Sequence, residues 1–257
     1  MNGKRQRIRR FLTIVSFLLF PVSFYYLSPY LIIHGAWEGV IGGSFILFAL
    51  LFLAALFLGR AWCGWVCPAG GLQDICIAVQ NRPVAKGNWI KWLIWLPWLA
   101  FIAFLALRAG GYKTIDPWYQ TDRGISLTTV EIHSYIIYYF VIAVIVTLSL
   151  LAGRRSFCHQ ICWMAPFMIL GRKIGNLLGW PALRLRSESG KCNNCGRCAK
   201  ECPMSLEAGA MAAADHMENA ECILCGTCVD VCPRGALGYA WKSPRAGRAA
   251  AGRGMGA

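Results

Sequence analysis

The chain has 257 residues, 57% of them hydrophobic, with thirteen cysteines and a mean hydropathy of +0.48. Such a composition excludes an ordinary soluble globular domain. The formal charge of +14 would suit nucleic acid, but no reading module accompanies it and the basic residues track the ends of apolar segments, so no nucleic-acid partner is expected.

Residues 1–10 form a basic N-terminus carrying Lys4, Arg5, Arg7, Arg9 and Arg10. Four apolar stretches then follow, Phe11 to Ile33, Trp37 to Leu58, Trp92 to Leu107 and Ser134 to Ala152. Each is read as crossing a hydrocarbon layer of about 30 Å, which takes about twenty helical residues. Pro21, Pro29 and Pro97 fall inside these spans, where proline is better tolerated than in soluble helices. The first run is too long for the core of a cleavable signal peptide and is expected to be a retained anchor.

The spans pair into two hairpins, 11–58 and 92–152, with segments 59–91 and 153–185 on the cytoplasmic side. Orientation follows the positive residues. Fifteen lie before the first span, between the second and third, or after the fourth, against Arg108, Lys113 and Arg123 on the opposite side. That asymmetry predicts a multi-pass protein of a prokaryotic inner membrane with both termini cytoplasmic. Tyr and Trp near the span ends read as an interfacial belt. Residues 163–185, which mix apolar groups with Arg172, Lys173 and Arg184, read as an interfacial helix.

The hairpins end alike. Arg60, Trp62, Cys63 and Cys67 recur 95 residues later as Arg155, Phe157, Cys158 and Cys162. Positions i and i+4 share a helix face, so each pair can aim its sulfurs at one spot. Together Cys63, Cys67, Cys158 and Cys162 form a candidate third site, for a metal, another cluster or a redox-active dithiol set. Cys76 has no counterpart and reads as packing. His34 and His133, at matching outer ends, suggest interfacial hydrogen bonding ahead of haem ligation or proton release. His159, inside the second turn, is placed to tune a nearby sulfur.

Residues 186–242 hold the firmest motif, Cys192-x2-Cys195-x2-Cys198-x3-Cys202-Pro203, repeated as Cys222-x2-Cys225-x2-Cys228-x3-Cys232-Pro233. Three thiolates from one tight run hold a 4Fe-4S cubane, and the fourth crosses from the other run. Cys192, Cys195, Cys198 and Cys232 are therefore assigned to one cluster, and Cys222, Cys225, Cys228 and Cys202 to the other. Structural zinc would leave the doubled triplets and both prolines without a reason, and a disulfide framework imposes no such spacing. Residues 243–257, rich in Gly, Ala and Arg, read as a disordered tail. The fold class expected is an all-α polytopic membrane domain of four transmembrane helices in two repeated hairpins, followed by a small α+β two-cluster bacterial ferredoxin-like domain.

Cys-x3-Cys turns after the second and fourth spans, followed by this doubled motif, resemble the membrane-bound polyferredoxin family. Its members include the NapH-type quinol dehydrogenase membrane subunit, and it is related to the C-terminal part of the nitrous-oxide-reduction regulator and to cytochrome-oxidase assembly ferredoxins. Cys63, Cys67 and Pro68 fit the family's Cys-x3-Cys-Pro, whereas Cys162 is followed by Trp163. The resemblance implies an electron-transfer subunit of a quinol dehydrogenase-type complex.

All the predicted ligand sets lie on the inner side, so a mobile carrier or another subunit must complete any path across the bilayer. Quinone or quinol suits that role, changing by two electrons where each cluster passes one. The expected partners are the lipid bilayer, quinone or quinol, and other redox subunits or a soluble ferredoxin-like protein. A second reading is an assembly factor whose thiols reduce and hand over a soft ion such as copper, and a third is a membrane redox sensor.

Overall fold

The computed structural model describes residues 3–84, 87–127 and 132–244, the side chains of Ile132 and His133 excepted. Lys86, Glu131, the His133 side chain and all but the first two residues of the predicted tail lie outside the described residues.

The first predicted span is not one helix. Helix α1 (Gly3–Leu18) stops, and a short α2 (Phe20–Ser23) and a 3-10 turn (Tyr25–Leu27) intervene before α3 (Pro29–Glu38). Pro21 and Pro29 each sit in the first turn of a new helix, where a missing N–H costs nothing, and Ser28 before Pro29 is extended, at φ −85° and ψ 122°, as residues preceding proline prefer. The second predicted span also divides. Gly39 closes α3 at a φ of 73° and β1 (Val40–Gly42) precedes α4 (Gly43–Leu58), whose 16 residues reach only about 24 Å.

Helices α5 (Ala61–Trp65) and α6 (Pro68–Cys76) complete the first unit, and α7 (Ile90–Arg108) follows with Pro97 inside it. Strand β2 (Thr114–Asp116) pairs with β1 in parallel, and α8 (Ile132–Ala152), α9 (Ser156–Gln160) and α10 (Met164–Leu177) form the second unit. Two helices, Ile90–Arg108 and the Ser134–Ala152 part of α8, are long and apolar enough to cross a membrane, and only 22% and 11% of their spans are buried. Core helices of a soluble domain would be covered.

The units repeat in order, α4–α5–α6 and α8–α9–α10, but exchange their last helices. Helix α10 packs along α4 and α6 packs against α8 and α1. Gly171 and Gly175 make the α10–α4 approach possible, since a Cβ at either would lie 2.6 Å from the Phe52 or Leu56 carbonyl oxygen. This is the small-xxx-small contact of closely packed helices. It corrects the expectation of an interfacial helix over 163–185. The helix ends at Leu177, its Met168, Ile169, Arg172 and Gly175 are buried, and Ala182–Ser187 is strand β3.

Strand β3 runs antiparallel to β4 (Leu237–Lys242), and α11 (Arg197–Lys200), α12 (Ala208–Ala213) and α13 (Thr227–Val231) complete the C-terminal domain. It is not a separate bead. Met204, Ile223 and Cys225 belong to the same buried cluster as Cys63 and Leu72 of the helical part.

Candidate metal centres

Each cysteine run is wound by matched left-handed residues, Asn194 and Gly196 in the first (φ 53° and 71°), Leu224 and Gly226 in the second (φ 50° and 74°). Glycine takes this conformation without cost, and a short helix then starts at Arg197 or Thr227. Cys192, Cys195, Cys198 and Cys232 line one cavity. Cys202, Cys222, Cys225 and Cys228 line another, with Met204, Met211 and Met217 around them. The structure thus gathers the two crossed quartets named from the spacing. Among the described residues no three His, Cys, Asp or Glu side chains converge tightly enough for one ion. A cubane asks for something else, since each thiolate meets a different iron. Four soft donors around a largely apolar hollow fit that group.

The quartets differ in depth. Cys195 is exposed and Cys192 half-buried, whereas Cys225 and Cys228 are buried. Burial pushes the Cys222 thiol up to about 12 and raises Cys198, Cys202 and Cys228 as well. These thiols stay protonated unless a bound cation compensates the thiolate charge.

The four remaining candidate cysteines are all buried, at 3% to 8% exposure. Their turns share one backbone pattern. The Cys67 N–H donates to the Trp62 carbonyl at 3.0 Å, and the Cys162 N–H donates to the Phe157 carbonyl at 2.9 Å. Trp163 therefore does not spoil the second turn. Cys63 Sγ lies 3.5 Å from Met168 Sδ, and the Gln73 side-chain amide donates to Cys158 Sγ at 3.1 Å. Burial, then charge repulsion from Cys63, Cys158 and Cys162, raises Cys67, and burial with Cys158 and Cys63 takes Cys162 to about 12. Mutual repulsion of that kind requires the two pairs to be neighbours.

Two buried arginines compensate this region, the pair that the 95-residue repeat aligns. Arg60 and Arg155 are 1% and 0% exposed, so they face protein and not lipid headgroups. Arg60 binds Glu221 at 2.5 Å, and Lys91 binds the other oxygen of that carboxylate at the same distance. Arg155 binds Asp74 at 2.8 Å and donates to the Cys63 carbonyl, also at 2.8 Å, while Arg9 shares Asp74 at 2.6 Å. Burial alone would raise both carboxyls, but the guanidiniums of Arg155 and Arg9 hold Asp74 below its usual range, and Arg60 with Lys91 does the same for Glu221. Buried N–H groups of Arg60 (Nε, Nη2) and Arg155 (Nη2) have no hydrogen-bond partner among the described residues. Unmatched cationic donors beside four thiols fit an anionic centre there.

The first turn also touches the deeper ferredoxin quartet. A Cβ at Gly64 would overlap the Ile223 carbonyl oxygen and sit 3.5 Å from Cys225 Cα. The Trp65 indole N–H donates to the Leu224 carbonyl at 3.0 Å, and Gln6 from α1 donates to the Cys225 carbonyl at 3.1 Å. Asp74, Gln73, Glu221 and Gly64 were missed from sequence. The visible signals were Glu221 directly before Cys222 and a glycine inside the first Cys-x3-Cys where the second has His159.

His159 is 2% exposed, its Nδ1 is 2.7 Å from Asn88 Oδ1, and burial lowers it to about 4, so it is neutral near pH 7. His34 Nδ1 pairs with the Tyr119 hydroxyl, which donates to Glu38 at 2.6 Å. Cys76 is buried, in line with a packing role.

Comparison with known proteins points the same way. A family described as "4Fe-4S binding domain" matches twice, at residues 40–82 and 135–181, and a "4Fe-4S dicluster domain" matches residues 191–237. A methylamine utilization ferredoxin-type protein, MauN of Methylobacillus flagellatus, is 26% identical over 184 residues, covering 68% of this chain. The aligned part spans 60% of that relative's length. No solved structure matches the chain. Cys63 with Cys67 and Cys158 with Cys162 each fall in one copy of the first domain, and the eight spaced cysteines fall in the second, so the chain carries 4Fe-4S ferredoxin-type domains in both its parts.

Proposed function

We propose that this chain is a membrane-bound iron–sulfur electron carrier of a quinol dehydrogenase-type complex, linking a quinone pool to soluble redox partners at an inner membrane. The observation that carries it is the direct seating of the Cys63 turn on the Ile223–Cys225 segment, which sets three thiol quartets in series. When bound, each cubane takes up or gives up one electron at a time.

The chain's own residues order that series. Cys63, Cys67, Cys158 and Cys162 would hold a centre at the membrane edge, with Arg60 and Arg155 balancing its negative charge. Cys202, Cys222, Cys225 and Cys228 would hold the middle centre inside protein, with Met204 and Ile223 excluding water from it. Cys192, Cys195, Cys198 and Cys232 would hold the outermost one, where the exposed Cys195 lets a soluble partner approach. The membrane reading is supported by the two long apolar helices and by exposed Leu93, Leu96, Phe104, Ile136, Phe140 and Leu151 along them.

Counting iron and acid-labile sulfide per purified chain tests the assignment. About twelve of each supports three cubanes and about eight leaves the membrane-edge quartet without one. A Cys63→Ser plus Cys158→Ser variant should drop the count by about four while keeping the ferredoxin signals. Unchanged iron in that variant would count against the third centre.

A further inference from the structure

The broken first span encloses a cavity. It measures about 170 Å³, and cavities of about 150 Å³ lined by Leu, Ile and Phe take up benzene, so one six-membered ring fits. Phe20, Phe24, Ile145 and Phe157 make its apolar wall, and Ser28 and Tyr30 also line it. Tyr30 and Ile137, which also line it, are 62% and 56% exposed, whereas Cys67 and Cys162 at its other limit are 5% and 8% exposed. The space therefore reaches from the apolar outside surface to the second cysteine of each turn. Cys63 and Cys158 are not among its lining residues and are engaged with Met168 and Gln73 instead.

The break itself is maintained. Irregular backbone at membrane depth persists only where protein satisfies it or where it lines a cavity. Both hold here. The Tyr25 N–H donates to Ser126 Oγ at 2.9 Å, the Ser126 and Leu127 N–H groups donate to the Val22 and Pro21 carbonyls, and the Trp163 indole N–H donates to the Leu27 carbonyl at 3.2 Å. A continuous helix would need none of these and would leave no hollow.

We infer that this cavity is the binding site for the ring of a lipophilic quinone, its tail leaving between Tyr30 and Ile137 and its ring stopping at Cys67 and Cys162. Apolar walls suit the ring, and Ser28 among the lining residues carries a hydroxyl able to donate to a carbonyl oxygen. This site rests on the electron-carrier reading above and gives it an entry point.

The test uses the full chain in lipid nanodiscs with a photoreactive azidoquinone of short tail, followed by peptide mapping. Label is expected on residues 20–30 and 137–145. Filling the cavity with Ala69→Phe, or its mouth with Ile137→Trp, should cut that label at least about tenfold while leaving the ferredoxin spectra intact. Label elsewhere, or label indifferent to both variants, overturns the site. Hydroquinone that bleaches the clusters equally in both filled variants would sink the site and spare the electron-carrier reading. Label in the cavity with no bleaching in the unaltered chain would do the reverse.

Discussion

The two Cys-x3-Cys turns share a backbone and differ in what they grip. In the first, Gly64 lets Ile223 come into contact and Arg60 reaches Glu221, so this turn holds the ferredoxin domain. In the second, the matching positions are His159, filling space against Asn88, and Arg155, which reaches Asp74 and the Cys63 carbonyl. This turn holds the two helical units to each other and also touches the ferredoxin domain, where Arg154 donates to the Lys200 and Cys202 carbonyls. Duplication supplied two equal thiol pairs, and the residues between and before the cysteines gave each pair a different set of neighbours.

The comparison can be broken first at its arginines. Arg155→Ala leaves Asp74 with Arg9 alone and the Cys63 carbonyl without its donor, a loss of about 3–5 kcal/mol for a buried pair. We expect the helical part to lose its fold, read as a large fall in thermal midpoint. Arg60→Ala should cost a similar amount but act elsewhere. It should expose the segment between α10 and β3 to limited proteolysis while the ferredoxin signals survive. Equal behaviour of the two variants would contradict the division of labour.

Acid should also separate the turns. His159 has a folded value of about 4 against an ordinary 6.5, so between those values the unfolded chain binds more protons and stability falls as pH falls. The loss amounts to about 3 kcal/mol across the window, and His159→Gln should flatten it. Asp74 and Glu221 are held below their ordinary 3.8 and 4.5. Their contribution is complete above those values and is lost as pH drops through the folded ones, so acid sensitivity below about pH 4 should persist in His159→Gln. Denaturation midpoints from pH 7 to pH 3 measure both.

A smaller effect is expected at Gly64→Ala, where overpacking against a backbone carbonyl costs about 1–3 kcal/mol. Its readout is slower electron exchange between the helical part and the ferredoxin domain with unchanged iron content. The smallest change is Pro68→Ala. The Trp163 turn makes the same hydrogen bond without a proline, so the loss should stay below about 1 kcal/mol. A large loss would mean that the turns are not equivalent after all.

The eight ferredoxin cysteines were legible because their ligand geometry is local, written within eleven residues of each run. The 95-residue repeat was legible because aromatic, arginine and cysteine positions recur together. Hydropathy misled where it measured apolar content and not backbone continuity, so the breaks at Leu19–Ser28 and at Gly39 were merged into spans although Pro21, Pro29 and Gly39 marked them. Charge misled at α10. Arg172 and Arg184 looked like interfacial anchors, yet both bind Glu218, 46 and 34 residues away in sequence. A long-range ion pair leaves no local pattern. The Gly171-xxx-Gly175 spacing was the sign that this helix packs against another.

The exchange of last helices sets an order on synthesis. Helix α4 leaves the ribosome about 120 residues before α10, on the order of ten seconds at ordinary elongation rates. During that interval the Phe52 and Leu56 carbonyl face of α4 lacks the partner that Gly171 and Gly175 were shaped to bring. Cys63 and Cys67 likewise wait for Cys158 and Cys162. Neither unit can therefore mature as a stand-alone half, and the proposed centre lacks its second thiol pair until about two thirds of the chain has been made.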